Sequence, residues 1–221
     1  MTKLFSRLFG SSVGQKFVMA LTGLLLVGFL FVHLGGNALL YVDREGKTFD
    51  AYERAMTANP LLPVAEVALL LLFGVHIVFA LRTTMANHAA KGTGYRSQGK
   101  ARTRSLGSST MIYTGLVLLG FLVVHILDFR VGKLLAGEGT SMTRLVADRL
   151  ASPVGAVVYI LGVLALMVHL SHGVRSVFQS LGVSHPNLNP WLEKLGLGVT
   201  LLLGLGFLSF PIYFLVQAAS R

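Results

Sequence analysis

Five stretches of the 221-residue sequence are long and apolar enough to cross a lipid bilayer, and this feature limits the fold most. A helix rises 1.5 Å per residue, so about 20 apolar residues span roughly 30 Å of hydrocarbon. Backbone polar groups in lipid must be paired within their own segment. We therefore predict an all-α integral membrane protein, a single membrane domain over residues 1–221, with five transmembrane helices in a bundle. The runs lie at about 15–41, 61–85, 108–131, 153–179 and 191–217.

The composition favours a membrane protein over a soluble one. Hydrophobic residues make up 53% of the chain and charged residues 13%, about half the charged share of a soluble domain. The net charge is +10, but the basic residues lie between apolar runs rather than on one polar face, so nucleic acid is not an expected partner. Cysteine is absent, which excludes disulfides, thiolate metal sites and iron–sulfur clusters bound by this chain.

The basic residues are distributed unequally between the two sides of the predicted bundle. The leader, the second connection and the fourth connection together carry eleven Lys and Arg residues and a single acid, whereas the other two connections nearly balance in charge. The positive-inside rule then places the N-terminus in the cytoplasm. We expect the basic second connection to contact a partner or anionic lipid. The eleven are Lys3, Arg7, Lys16, Arg82, Lys91, Arg96, Lys100, Arg102, Arg104, Arg175 and Lys194.

Histidines lie within four of the five apolar segments, and ionisable residues in a membrane are costly and usually functional. They are His33, His76, His125 and, in the fourth segment, His169 and His172. Because successive helices alternate in direction, the first and third segments carry their histidines in the outer half, and the second and fourth in the inner half. The two levels differ by roughly 10–15 Å.

Two pairs of histidines at two depths are what two bis-histidine haems require, and imidazole is this chain's natural haem ligand. Small residues one turn away, such as Ala80 and Gly173, would let a porphyrin lie against a helix. The alternative roles are interhelical hydrogen bonding and proton relay. We find no internal repeat at a fixed period.

Three motifs resemble one protein family. They are Ser-Ser-Val-Gly-Gln-Lys-Phe-Val-Met-Ala-Leu-Thr-Gly at 11–23, Phe-Val-His-Leu-Gly-Gly-Asn at 31–37 and His-Leu-Ser-His-Gly-Val-Arg-Ser-Val-Phe at 169–178. The chain resembles the cytochrome b membrane anchor of succinate dehydrogenases and fumarate reductases, and is similar to the five-helix bacterial type with two haems b. The resemblance implies that His33 and His125 ligate the iron of the distal haem and that His76 and His169 ligate that of the proximal haem.

The resemblance also favours one of the two histidines of the fourth segment as the ligand. The family pattern His-x-x-x-Gly fits His169 with Gly173, and His172 is then expected at the cytoplasmic rim. Further residues expected to contact a haem are His172, Arg175, Lys16, Ser12, Thr22 and Asn37. Ser12, Lys16 and Thr22 match the family's entry to the first helix, where they contact a haem propionate or a lipid phosphate, or cap the helix.

By this resemblance the chain is a membrane anchor and electron-transfer subunit of a succinate:quinone oxidoreductase. It would dock a flavoprotein subunit and an iron–sulfur subunit on its cytoplasmic face and would have no succinate activity of its own. A quinone, expected to be menaquinone, would react near the distal haem, where Glu66 is the leading candidate and Asn37, Asp50 and Glu53 are weaker ones. Glu66 would otherwise be an acid in a first helical turn.

The expected location is the bacterial cytoplasmic membrane, with multiple passes, and a higher oligomer of the complex stays open. Two alternatives also stay open at this point. One is a dihaem cytochrome b anchor of another respiratory oxidoreductase, such as a nitrate reductase or formate dehydrogenase. The other is a proton-coupled membrane transporter that uses its histidines and Glu66 as a relay.

Overall fold

The computed structural model describes residues 9–89, 106–137, 139–183 and 185–220, and no strand occurs within these ranges. Eight α-helices account for most of them. They are α1 (Ser12–Asn37), α2 (Lys47–Thr57), α3 (Leu62–Ala89), α4 (Leu106–His125), α5 (Gly132–Ala136), α6 (Met142–Ala151), α7 (Pro153–Ser180) and α8 (Asn189–Ala219).

Five segments are long and apolar enough to cross a membrane, which confirms the predicted all-α, five-helix membrane class. The third runs five residues past its expected end, because α4 continues through a π-helical turn, Ile126–Val131, into α5. The five spans are Ser12–Tyr41, Leu62–Ala86, Thr110–Ala136, Pro153–Ser180 and Asn189–Ala219.

Serine side chains cap the N-termini of three helices, where the first backbone N–H groups have no partner within the helix. The Ser11 hydroxyl accepts from the Gly14 N–H at 3.0 Å at the start of α1. Ser152 does the same for Gly155 at 3.0 Å, and Pro153 follows it at the first position of α7, where its missing N–H costs nothing. Ser141 caps α6.

Four of the spanning helices form a square in cross-section. Helix α1 packs against α3 and α7, α4 packs against α7, and α3 touches α4, whereas the diagonal pairs α1/α4 and α3/α7 do not pack closely. Helix α8 lies outside the square and packs mainly on α7. The core follows this seam, with Leu203 of α8 fully buried and Val163 and Leu170 of α7 beside it.

Two short helices, α2 and α6, cover one end of the bundle, opposite the N-terminus; we call this the outer end. The sequence predicts residues 42–60 and 132–152 only as connections between apolar runs. Instead, α2 inserts Phe49 and α6 inserts Val146 and Leu150 into the core of the bundle. These helices were missed because each gains its stability from tertiary packing rather than from its own length.

Polar contacts hold α2 against α6. The Thr143 N–H donates to Asp50 Oδ1 at 2.9 Å, and the Thr143 hydroxyl donates to the Gly46 carbonyl at 3.0 Å. Gly46 has φ of 71°, and a Cβ there would overlap the Thr143 side chain, so glycine is required. Burial alone would raise the pKa of Asp50, but hydrogen bonds from Ser141 and Thr143 lower it overall.

Candidate functional site

One pair of histidines, which we call the outer pair, lies across the α1/α4 diagonal. The rings of His33 and His125 have their centroids 5.6 Å apart and are nearly perpendicular, at 89°. Aromatic side chains surround them: His33 stacks on Phe29 at 5.5 Å, and the His125 ring lies 6.0 Å from those of Phe121 and Tyr159. The outer pair is therefore enclosed mainly by apolar ring surfaces.

The π-helical turn directly after His125 reorients the side chains that follow it. It brings the Asp128 carboxylate to the Tyr159 hydroxyl at 3.0 Å and to Arg149 Nε at 2.7 Å, so α4, α6 and α7 meet at one charged group. It also places the Phe129 ring 5.3 Å from that of His125. Sequence reasoning missed this cluster because helical periodicity does not reveal a π-turn, although π-turns are frequent at functional sites.

The second pair, which we call the inner pair, lies across the other diagonal, α3/α7. The rings of His76 and His169 have centroids 6.5 Å apart and an interplanar angle of 70°. Both diagonals of the square thus carry one histidine pair each. The structure brings together the same partners that the depth argument paired.

Each histidine of the inner pair contacts a threonine on a neighbouring helix. Thr22 Oγ1 lies 3.2 Å from His76 Nδ1, and Thr114 Oγ1 lies 3.2 Å from His169 Nδ1. Thr22 was expected to contact a haem propionate or a lipid phosphate, or to cap the helix. In the structure it is buried in mid-helix and faces an imidazole.

The matching contacts reflect a repeat between two segments of the sequence, although we expected no internal repeat at a fixed period. Helix α1 reads Thr-Gly-Leu-Leu-Leu-Val-Gly-Phe-Leu-Phe-Val-His at 22–33, and α4 reads Thr-Gly-Leu-Val-Leu-Leu-Gly-Phe-Leu-Val-Val-His at 114–125. The common Thr-Gly and His, eleven residues apart, are the signal that could have found Thr114. Helices α1 and α4 thus share one sequence pattern over these twelve residues.

The other residues expected near a haem lie at several places. Asn37 Nδ2 lies 3.4 Å from His33 Nε2, one turn along α1. His172 is half-buried, one turn beyond His169, and Arg175 forms an ion pair with Glu193 of α8 at 2.8 Å. Ser12 and Lys16 are exposed in the first turns of α1, away from the outer pair.

Glu66 lies at the outer end of α3 and is held by two contacts from Arg130. Its carboxylate oxygens lie 2.7 Å from Arg130 Nε and 3.1 Å from Nη2. Both side chains line a cavity of about 120 Å³ together with Glu53, Lys133 and Phe129. Since Phe129 also contacts His125, the cavity borders the surroundings of the outer pair. Asp50, one of the weaker candidates, is instead engaged with Thr143.

The histidine pairs fit a metal that brings its own further ligands. Within the described part of the chain, no group of three or more His, Cys, Asp or Glu side chains could hold a bare ion. Each pair offers two imidazoles, with ring centroids 5.6 Å apart in the outer pair and 6.5 Å apart in the inner pair. A metal held by either pair would therefore need further ligands from outside the chain. Haem, with four ligands in its macrocycle, is such a group.

A model of one protein family, described as the succinate dehydrogenase/fumarate reductase transmembrane subunit, matches residues 91–205. This range is about half of the chain and includes His125, His169 and Thr114. The first half, with His33 and His76, lies before it. No curated protein and no solved structure matches the chain significantly.

Proposed function

Because this chain belongs to the family of succinate dehydrogenase/fumarate reductase transmembrane subunits, we propose that it binds two haems b and carries electrons between an iron–sulfur subunit and a quinone. The observation that carries this proposal is the pair of histidines on each diagonal of the helix square. Family membership favours it over the anchor of another respiratory oxidoreductase. It also favours it over a proton-coupled transporter.

In this proposal the inner pair, His76 and His169, ligates the proximal haem, and the outer pair, His33 and His125, ligates the distal haem. Thr22 marks the level of the inner pair on α1, and His33 follows it eleven residues later, which is about 16 Å along the helix. Thr114 and His125 repeat this spacing on α4. When bound, each haem iron supplies one-electron redox chemistry, and the chain supplies its histidine ligands and sets its depth in the membrane.

The rest of the chain would shield and orient the two groups. The phenylalanine and tyrosine rings around His125 exclude water from the outer pair and lower the local dielectric, a factor that tunes the potential of a haem. His172 and Arg175, beyond the inner pair, are candidates to hold a propionate, and for Arg175 this role competes with its ion pair to Glu193. His172 is also the alternative ligand to His169.

We place the proposed menaquinone site at the cavity beside Glu66. The carboxylate could take up or release a proton next to a quinone oxygen, and Arg130 holds it in place with two hydrogen-bonding nitrogens. The cavity also lies near the distal end of the proposed electron path, since it shares Phe129 with the outer pair. Asn37, whose Nδ2 lies 3.4 Å from His33 Nε2, is the second candidate.

The proposed docking surface for the flavoprotein and iron–sulfur subunits is the end that carries the N-terminus. Of the eleven basic residues predicted on this side, those at 91, 96, 100, 102 and 104, with those at 3 and 7, lie outside the described residues. Lys16 and Arg82 are described and exposed. Their charge supports a cytoplasmic side by the positive-inside rule and suits an acidic partner surface. The bacterial cytoplasmic membrane is the location we propose.

The test is the haem content of the complex purified from its native membrane. Wild type should show two b-type haems on reduction with dithionite. Replacing His33, His76, His125 or His169 singly by Ala should remove one haem each, and His172→Ala should retain both. Absence of a b-type spectrum in the wild type would refute the proposal. Loss of a haem from His172→Ala, with retention by His169→Ala, would move the proximal ligand to His172.

A further inference from the structure

We infer that Thr22 and Thr114 are paired positioning residues that select the ligating nitrogen of His76 and His169 and increase the electron donation of both imidazoles. The inference rests on the proposed function, since it concerns ligands of the proposed proximal haem. It is carried by two matching contacts on separate helix pairs, α1 to α3 and α4 to α7.

The direction of these hydrogen bonds follows from the hydroxyl's other contacts. Thr22 Oγ1 lies 2.9 Å from the Val18 carbonyl and 3.0 Å from the Met19 carbonyl of its own helix. Thr114 Oγ1 has the same two contacts, at 3.1 Å each. A hydroxyl has one proton, and backbone carbonyls can only accept it. The oxygen is therefore left as an acceptor for the imidazole.

An accepting hydroxyl requires the proton on Nδ1 of the histidine. A neutral imidazole carries one proton, so a donating Nδ1 leaves the lone pair on Nε2. In this way each threonine selects Nε2 as the ligand atom. A hydrogen bond from the non-ligating N–H also fixes the plane of the ring and raises the basicity of the ligand.

A glycine follows each threonine and lies beside the same imidazole. A Cβ at Gly23 would lie 3.2 Å from His76 Cε1, and one at Gly115 would lie 3.6 Å from His169 Cε1. The Thr-Gly pair therefore borders the imidazole in both helix pairs, with a close approach at Gly23 and an ordinary contact distance at Gly115. Because the same contact occurs in both helix pairs, it is a specific arrangement rather than a single chance contact.

Among the described residues, no threonine hydroxyl contacts the outer pair in this way. His125 Nδ1 is buried and has no hydrogen-bond partner among the described residues. His33 is contacted at Nε2 by Asn37, at the longer distance of 3.4 Å. Threonine-directed tuning is therefore predicted for the proximal haem alone. Removal of either threonine hydroxyl should raise the midpoint potential of that haem, because a less basic ligand stabilises the ferric state less.

The experiment is a potentiometric titration of the purified complex, with the ferric electron paramagnetic resonance signal of each haem recorded separately. Thr22→Val and Thr114→Val keep the side-chain shape and remove the hydroxyl, and Thr22→Ser and Thr114→Ser keep a hydroxyl. Thr200→Val on α8 is the control, because Thr200 is buried like Thr22 and, among the described residues, its hydroxyl donates to the Gly196 carbonyl at 2.8 Å and contacts no histidine.

We expect the Val variants to shift the proximal haem to higher potential and to change its ferric signal. The distal haem should be unchanged, the Ser variants should resemble wild type, and Thr200→Val should have no effect. If a Val variant loses the proximal haem, its recovery in the Ser variant supports the inference, and failure to recover overturns it. An unshifted proximal haem in both Val variants also overturns it. A wild type without haem refutes the proposed function instead.

Discussion

Gly162→Ala should disturb the distal haem and leave the proximal one intact. Gly162 of α7 is buried against the Phe121 ring of α4, and an added Cβ would lie 2.6 Å from Phe121 Cγ. Carbon atoms in contact are normally 3.5–4.0 Å apart, so the ring must move by about 1 Å. Phe121 cannot move freely, because its ring also contacts His125 and Tyr159, at 6.0 and 5.2 Å.

The expected loss of stability in Gly162→Ala follows from the cost of overpacking, which is about 1–3 kcal/mol. Gly120→Ala is the matched control, because it is one residue from Phe121 on α4 and its Cβ would meet nothing within 4 Å. Both substitutions gain the same helix propensity, so the difference between them isolates the clash. It corresponds to about 2–12 °C in Tm for a chain of this length. If all the strain falls on the haem-bound state, binding weakens by up to about 150-fold.

The assay combines thermal unfolding of the purified complex with the reduced haem spectrum of each variant. We expect Gly162→Ala to unfold at a lower temperature than Gly120→Ala and to lose or shift the distal haem signal only. Equal Tm values and two unaltered haems in both variants would show that a packing change at Gly162 does not displace His125 through Phe121. Loss of the proximal haem alone would contradict the assignment of the outer pair.

Two further predictions concern the core and the outer end of the bundle. Leu203→Ala, at a fully buried position, should lower the free energy of unfolding by about 2–5 kcal/mol, whereas Leu205→Ala, at a side chain that is 58% exposed, should have a small effect; equal Tm losses would contradict the packing of α8 on α7. The pKa of Asp50 is lowered from its ordinary value of 3.8. The ionised Asp50 carboxylate therefore stabilises the contact of α2 with α6 at pH values above 3.8, and this contribution is lost as pH falls through the lowered pKa. The protection factors of the α2 amides against hydrogen exchange should therefore fall in acid, and Asp50→Asn should have lower protection factors at pH 7 that depend less on pH; an unchanged pH dependence would contradict this role.

The histidine pairs show how far sequence reasoning reached within the site. Depth in the membrane follows from position along a helix, since each residue adds 1.5 Å, so the pairing of His33 with His125 and of His76 with His169 could be proposed before any contact was known. Which side chain faces an imidazole depends on the rotation of each helix about its axis. For this reason the contacts of Thr22 and Thr114 emerged only from the structure.

The outer end shows the opposite case. The segments at 42–60 and 132–152 are too short and too polar for their sequence pattern to predict helices. Helices α2 and α6 form because Phe49, Val146 and Leu150 pack into a core made by distant helices. The π-helical turn after His125 likewise has no periodic signal in the sequence, yet it positions Asp128 for Tyr159 and Arg149.

The sequence by itself determined that this chain is an all-α membrane protein with five spanning helices, because the bilayer sets the length of an apolar run and forces its backbone to pair locally. It also determined the two levels of histidine along those helices. Tertiary structure decided that α1 faces α4 and α3 faces α7 across a square, that threonines contact the inner pair, and that two short helices close the outer end. Such lateral contacts depend on how side chains from distant segments interdigitate, and no local pattern along the chain records them.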